Sequence, residues 1–129
     1  VFGELSVADN LWLHLNDRGR ARYAEAFAAF PLLEQRLQQR AGSLSGGERK
    51  LLSFARTLGL STALTLLDEP TEGVQPENIE RMAQLLRRRC AAGAAPGSAS
   101  WWSITGPASP AKPSTTSNGP RRSCSILSR

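Results

Sequence analysis

The chain has 129 residues, a net charge of +5 at neutral pH and two cysteines. Cys90 and Cys124 lack the spacing of metal ligands or of a disulfide framework, and no apolar run approaches the roughly 18 residues of a membrane-spanning helix. Since Val1 opens no recognisable signal peptide, composition predicts a soluble, cytoplasmic protein.

Charge and composition change along the chain. All 11 acidic residues lie at or before Glu80, and the residues after it include eight basic and no acidic ones. From Ala94 onward Ser, Pro, Gly and Thr dominate, with too few apolar residues to offset the entropy cost of ordering. The sequence therefore predicts a folded part over residues 1–92 and a disordered tail over 93–129.

Three helices are predicted before residue 42. Ser6 is the expected N-cap of the first, which would extend to about residue 16, with Asp9 completing a capping box. The second would cover residues 20–29 and stop before Pro31, because the residue before a proline disfavours helix. A third, short helix would carry Leu32, Leu33 and Leu37 toward the turn at Gly42.

A glycine turn then opens a longer amphipathic helix. Ser45 and Glu48 have the spacing of a capping box, with Ser45 as the N-cap. Gly46 and Gly47 remove side chains from the first turn, which exposes backbone N–H groups at the positive end of the helix dipole. A phosphate fits such a site, although a capping box alone is usually only a helix start.

The next apolar run, residues 63–67, predicts a strand buried on both faces of a parallel sheet. Asp68 and Glu69 follow at its carboxyl end, the edge where open α/β sheets bind ligands. One carboxylate could hold Mg²⁺ through its water shell while the other faces an attacking water. On this segment alone, a strand that merely ends in polar residues remains an equal alternative.

The last predicted helix begins at Pro76, a residue suited to the first helical position. Its apolar stripe consists of Ile79, Met82, Leu86 and Cys90. The triplet 87–89 places three arginines in the last turn, where they complement the helix dipole, and Gly93 is the expected C-terminal cap.

These segments together resemble the nucleotide-binding domain of ABC ATPases. Leu44-Ser45-Gly46-Gly47-Glu48 is similar to the L-S-G-G-Q signature, and residues 64–69 are similar to the Walker B strand with its following glutamate. Residues 2–11 resemble the F-x-x-L-T-V-x-E-N-L stretch of the family. Residues 69–76, with E-G-V-Q-P, resemble the variant of importers of branched-chain amino acids and urea. The resemblance covers residues 1–92.

The resemblance implies an α/β fold, here a mostly helical part of a P-loop NTPase-type domain: the helical subdomain, the Walker B strand and the helix after it. It implies that Ser45, Gly46 and Gly47 contact the γ-phosphate of ATP bound to the opposite subunit of a head-to-tail dimer. Asp68 would support Mg²⁺ as the metal-binding residue, and Glu69 would polarise the hydrolytic water. Leu44 and Glu48 complete the nucleotide-binding motif, with Glu48 adding a negative charge near a phosphate.

The resemblance also implies partners and a role. The partners would be a second ATPase subunit and transmembrane permease subunits, and the permeases would hold the protein at the inner face of the membrane. The role would be to power import of a small polar solute of amino-acid or urea type. No G-x-x-x-x-G-K-[ST] loop occurs in the chain, and no segment matches the glutamine loop of the family. The switch histidine is also unmatched, because the single histidine is His14, far before Glu69. The sequence therefore predicts a truncated, inactive fragment.

Two alternatives remain. The chain could be a non-catalytic remnant, or its arginine triplet and basic tail could bind nucleic acid through counterion release. The second is disfavoured because no aromatic residues are interleaved with Arg121 and Arg122 for base stacking, so no nucleic-acid partner is expected.

An out-of-frame tail would explain residues 93–129. Tryptophan has the single codon TGG, so Trp101 and Trp102 define six bases. With suitable codons for Ser100, Ser103 and Ile104, reading one base out of frame yields Val-Val-Glu-His-Asn. This peptide resembles the switch-histidine strand of the family, which belongs about 35 residues after Glu69.

Overall fold

The computed structural model describes residues 1–13, 15–60, 64–92 and 101–104. In chain order its elements are α1 (Val7–Trp12), α2 (Ala24–Ala29), α3 (Pro31–Gln35), α4 (Gly46–Gly59), β1 (Leu64–Leu67), α5 (Pro76–Ala92) and β2 (Trp101–Ile104), with 3₁₀ turns at Arg20–Tyr23 and Ala41–Ser43. The described part is mostly helical, as the sequence predicts. None of its helices is long and apolar enough to cross a membrane.

Helix α1 is shorter than predicted and is capped differently. It ends at Trp12, well before residue 16, and His14 lies outside the described residues. The Ser6 cap is confirmed, since its Oγ accepts from the Asp9 backbone N–H at 3.0 Å. The Asp9 carboxylate, however, accepts from the Ser6 hydroxyl at 2.7 Å. The predicted capping box is therefore wrong here, because Asp is one methylene shorter than the Glu or Gln that reaches the N-cap backbone.

The second predicted helix divides into two elements. Residues Arg20–Tyr23 form a 3₁₀ turn, and α2 follows directly and ends at Ala29. Phe30 leaves the helical region with φ −127° and ψ 73°, as expected before a proline, and Pro31 occupies the first turn of α3. Helix α3 ends at Gln35, so Leu37 lies beyond it, partly buried against the core.

The core lies between the helices. Helix α1 and the Arg20–Tyr23 turn pack on α4, and α2 packs on α3 and α5. Val7, Leu33 and Leu52 are fully buried, and burying such a side chain contributes about 1.5–3 kcal/mol. Tyr23 meets Trp12 edge to face with 5.6 Å between ring centroids. This packing holds α4, the helix that follows the glycine turn, against α1 and the Arg20–Tyr23 turn.

Asn10 ties the N-terminal segment to α1. Its side chain is fully buried, accepts from the Phe2 backbone N–H at 2.8 Å and donates to the Phe2 and Ser6 carbonyls, each at 2.9 Å. The same segment bonds to the chain just before α4, since Ala41 N–H donates to the Leu5 carbonyl at 2.9 Å. A fully bonded buried amide of this kind fixes the path of the chain into α4.

Strand β1 has a parallel neighbour. It pairs with β2 in the register Leu64 to Trp101 through Leu67 to Ile104, and α5 connects the two as a βαβ unit. Residues 101–104, which form β2, lie within the segment predicted as a disordered tail, and the extent of that tail stays a prediction. The rest of the predicted tail lies outside the described residues, as do Ala63 and Gly93.

Candidate functional site

The predicted capping box at the start of α4 is confirmed. Ser45 Oγ accepts from the Glu48 backbone N–H at 3.3 Å, and Glu48 Oε2 accepts from the Ser45 N–H at 2.8 Å. Leu44, next to the cap, is 3% exposed and belongs to the core. The cap is thus anchored on a buried side chain while Ser45 itself is exposed.

The two glycines of the first turn differ in their surroundings. A Cβ on Gly46 would meet no atom within 4 Å, whereas a Cβ on Gly47 would lie 2.5 Å from the carbonyl oxygen of Gly73. The first N–H groups of a helix have no partner within it, and Ser45 takes only that of Glu48. The open side of Gly46 therefore gives an anion access to the positive end of the 14-residue α4.

The negative charge of Glu48 is paired. Arg36 Nη1 lies 3.1 Å from Glu48 Oε1, and the two side chains are 38% and 22% exposed. The negative charge of Glu48 at the start of α4 is therefore offset by a guanidinium. Sequence reasoning missed Arg36, because only the packing of the segment after α3 brings it to α4.

Asp68 and Glu69 follow β1 directly, as predicted, and both are exposed. Glu69 has φ 40°, in the left-handed region that residues other than glycine seldom adopt. The backbone therefore bends at Glu69, directly after the strand and before the segment that leads to α5.

Among the described residues, no three His, Cys, Asp or Glu side chains converge as a metal site. Mg²⁺ is commonly bound by one or two carboxylates together with waters and phosphate oxygens.

The glycine turn and the carboxylate turn touch each other. Lys50 of α4 donates from Nζ to the Glu69 carbonyl oxygen at 3.1 Å and lies 3.6 Å from Glu72 Oε2. The close approach of Gly47 to Gly73 makes a second contact between α4 and this turn. The two segments singled out in the sequence are thus brought together, through a lysine that sequence reasoning also missed.

A cleft of about 360 Å³ opens beside the capped end of α4. Ser45, Gly47 and Glu48 border it on one side, and Gln75 and Arg81 border it on another. The start of α4 therefore faces open space.

The family described as ABC transporter matches residues 1–72 of the chain. The chain is 34% identical over 92 residues to the high-affinity branched-chain amino acid transport ATP-binding protein BraG of Pseudomonas aeruginosa, covering 68% of this chain and 40% of that protein. It is 38% identical over 88 residues to the lipoprotein-releasing system ATP-binding protein LolD of Hahella chejuensis, covering 64% of this chain and 38% of that protein. It is 36% identical over 84 residues to the probable branched-chain amino acid transport ATP-binding protein LivF of Archaeoglobus fulgidus, covering 62% of this chain and 36% of that protein.

The chain thus spans about two fifths of the length of these relatives. The family match nevertheless covers more than half of the chain and includes both the capped glycine turn and the two carboxylates. Members of this family bind ATP, usually with Mg²⁺, on a P-loop NTPase fold. The chain belongs to the ABC transporter family.

Proposed function

We propose that this chain supplies the signature motif and the Walker B carboxylates of an ATP-binding subunit that powers solute import. The observation that carries the proposal is the contact between the two motifs: the open, capped start of α4 is joined through Lys50 to the turn that bears Asp68 and Glu69. The described part would comprise the helical subdomain, the Walker B strand β1 and the helix after it, α5.

Each motif residue has a role in this proposal. In a head-to-tail dimer, Ser45, Gly46 and Gly47 contact the γ-phosphate of ATP held by the opposite subunit. Asp68 supports Mg²⁺, which when bound neutralises charge on the phosphates, and Glu69 orients the hydrolytic water.

The core contacts of α4 support these roles by fixing the helix, because phosphoryl transfer depends mainly on positioning and on electrostatic stabilisation. The Arg36 pair with Glu48 supports them as well, since a phosphate approaching an unpaired carboxylate would be repelled.

The solute class rests on different support. The names of BraG and LivF refer to branched-chain amino acid transport, and the E-G-V-Q-P segment agrees with that subgroup, although LolD is named for lipoprotein release. We infer import of a small polar solute of amino-acid or urea type, with transmembrane permease subunits as partners that hold the protein at the inner face of the membrane. DNA flanking the coding sequence should then encode permeases of an importer, and adjacent genes for lipoprotein release would contradict this solute class.

A binding experiment tests the role of the signature. An intact ATP-binding subunit of a branched-chain amino acid importer, with its water-polarising Glu changed to Gln, would be mixed with this chain with and without Mg·ATP. We expect association only with Mg·ATP, because the α4 N-terminus would close one of the two sites. Ser45→Arg should abolish association, while Ser53→Arg, at an exposed position further along α4, should not. Association that ignores ATP or Ser45→Arg would refute the role.

A further inference from the structure

We propose that Lys50 is a positioning residue that holds the Glu69 backbone in its left-handed conformation. The inference rests on the proposed function, in which Glu69 orients water, and adds a residue to it. No motif assigned above includes Lys50, which lies two positions beyond the signature.

The conformation of Glu69 requires support from its neighbours. It is the one residue other than glycine with positive φ among those that the structure describes. The left-handed conformation brings Cβ close to the following carbonyl oxygen, so such residues persist where surrounding contacts hold them. The direction in which the Glu69 side chain leaves the backbone depends on this φ angle.

Lys50 bonds to the group that this conformation presents. Its ammonium donates to the Glu69 carbonyl oxygen at 3.1 Å, and the same oxygen accepts the Glu72 backbone N–H at 3.4 Å. An ammonium has three donors, and Lys50 Nζ also lies 3.6 Å from Glu72 Oε2. One side chain therefore connects both ends of the 69–72 turn.

The far end of the turn is held by backbone packing. The Gly73 carbonyl lies against Gly47, where even a Cβ would come within 2.5 Å, and Val74 next to it is buried. Lys50 lies three residues after Gly47, so both contacts fall on one face of α4. The turn is thus attached to α4 at two points, and the Lys50 contact is the one that reaches Glu69.

A plain surface ion pair between Lys50 and Glu72 is the competing interpretation. The side chains are 37% and 72% exposed, and exposed pairs contribute little. In that case the Glu69 backbone would not depend on Lys50, and Glu72→Gln would have the same effect as Lys50→Met. If the bond to the carbonyl is what matters, the two variants should differ.

Nuclear magnetic resonance on the full chain without nucleotide distinguishes the positioning role of Lys50 from a plain ion pair with Glu72. In the parent chain, Glu69 should show the strong intraresidue HN–Hα Overhauser effect of a left-handed residue. Lys50→Met should weaken this effect and speed exchange of the Glu72 amide by about tenfold or more. Lys50→Arg should restore both. Arg49→Met is the matched control, because Arg49 is the exposed neighbour with the same charge, and it should change neither.

Three outcomes would overturn the proposal. They are an unchanged Overhauser effect in Lys50→Met, equal effects of Glu72→Gln and Lys50→Met, and loss of amide protection throughout α1 and α4 that Lys50→Arg does not rescue. Since no ATP is added, failure of the signature to bind nucleotide would leave this result unaffected, so the two proposals can fail separately.

Discussion

Glu48 makes two bonds at the start of α4, one that caps the helix and one to Arg36. Glutamine can keep the first bond and lose only the charge of the second, whereas alanine loses both. The relative worth of capping and charge pairing at this site is therefore open to a direct comparison of the two substitutions.

Glu48→Ala should lower the free energy of unfolding by about 1–2 kcal/mol, and Glu48→Gln by about 0.5 kcal/mol or less. Glu34→Ala is a useful control, because Glu34 pairs with Arg20 at 2.6 Å but the two side chains are 47% and 63% exposed. It should cost about 0.5 kcal/mol at most. Urea unfolding measures all three, and equal losses for alanine and glutamine at 48 would show that charge, not capping, dominates.

Tyr23 makes stability depend on pH. Burial raises the pKa of its hydroxyl above 10.0, although Arg22 and Arg56 act in the opposite direction. The folded chain therefore holds this proton more firmly than the unfolded chain does. The resulting stability is fully present below about pH 10 and is lost as pH rises through the folded pKa.

Tyr23→Phe removes this dependence. At neutral pH it should cost about 1 kcal/mol, because the hydroxyl donates to the Leu11 carbonyl. Above about pH 10 the parent chain should lose stability faster than the variant, so the difference between their free energies of unfolding should become smaller. Urea titrations at several pH values check this, and a difference that stays constant would contradict it.

At the scale of elements, α4 is the helix on which the other parts meet. Its start carries the capped turn, its middle reaches the carboxylate turn through Lys50, and its last residue, Gly59, lies against Tyr23. A Cβ would meet open space at Gly46, a backbone carbonyl at Gly47 and an aromatic ring at Gly59. The same glycine-to-alanine change at each position therefore tests three environments.

Glycine-to-alanine substitutions should give three different results in α4. Gly46→Ala should be neutral or stabilising by up to about 1 kcal/mol, since a new Cβ meets nothing and the unfolded chain loses entropy. Gly47→Ala should destabilise by about 1–3 kcal/mol because it forces the Gly73 carbonyl away. Gly59→Ala should cost as much, because its Cβ would lie 2.3 Å from the Tyr23 ring. Thermal unfolding of the three variants checks the order, and a loss in Gly46→Ala as large as the others would refute it.

For the whole molecule, activity depends on groups beyond the two motifs. Hydrolysis requires a lysine and a backbone cradle on the phosphates, which a P-loop supplies. A helix N-terminus contributes only about 0.3–1 kcal/mol to anion binding, whereas micromolar affinity requires about 8 kcal/mol. We expect no ATPase activity in the purified chain and millimolar ATP affinity at best.

Phosphate release with Mg·ATP, compared between the chain and Glu69→Gln, measures this. Turnover that disappears in the variant would show that a complete site forms, for example with another subunit, and would refute the prediction. Equal background release from both would agree with a chain that is inactive by itself.

The DNA encoding residues 100–105 tests the out-of-frame hypothesis. It predicts TCG TGG TGG AGC ATA followed by AC, and other bases at Ser100, Ser103 or Ile104 would contradict it.

The sequence by itself determined the local features of this protein. Three features depend on residues within a few positions of each other, so spacing alone predicts them. They are the capping box at Ser45 and Glu48, the start of α5 at Pro76 and the position of two carboxylates directly after β1. The order of these motifs was also sufficient to indicate the family. The local errors were the box at Asp9, which came from a side chain one methylene too short, and the extents of the first three predicted helices.

Tertiary structure alone decided which distant groups meet. Arg36 reaches Glu48 across 12 positions, Lys50 reaches Glu69 across 19, and Arg22 reaches the Gly59 carbonyl across 37. The pairing of β1 with β2 likewise needs α5 to return the chain. Such contacts leave no periodic pattern in the sequence, because they arise only when burial of the apolar faces packs the helices together.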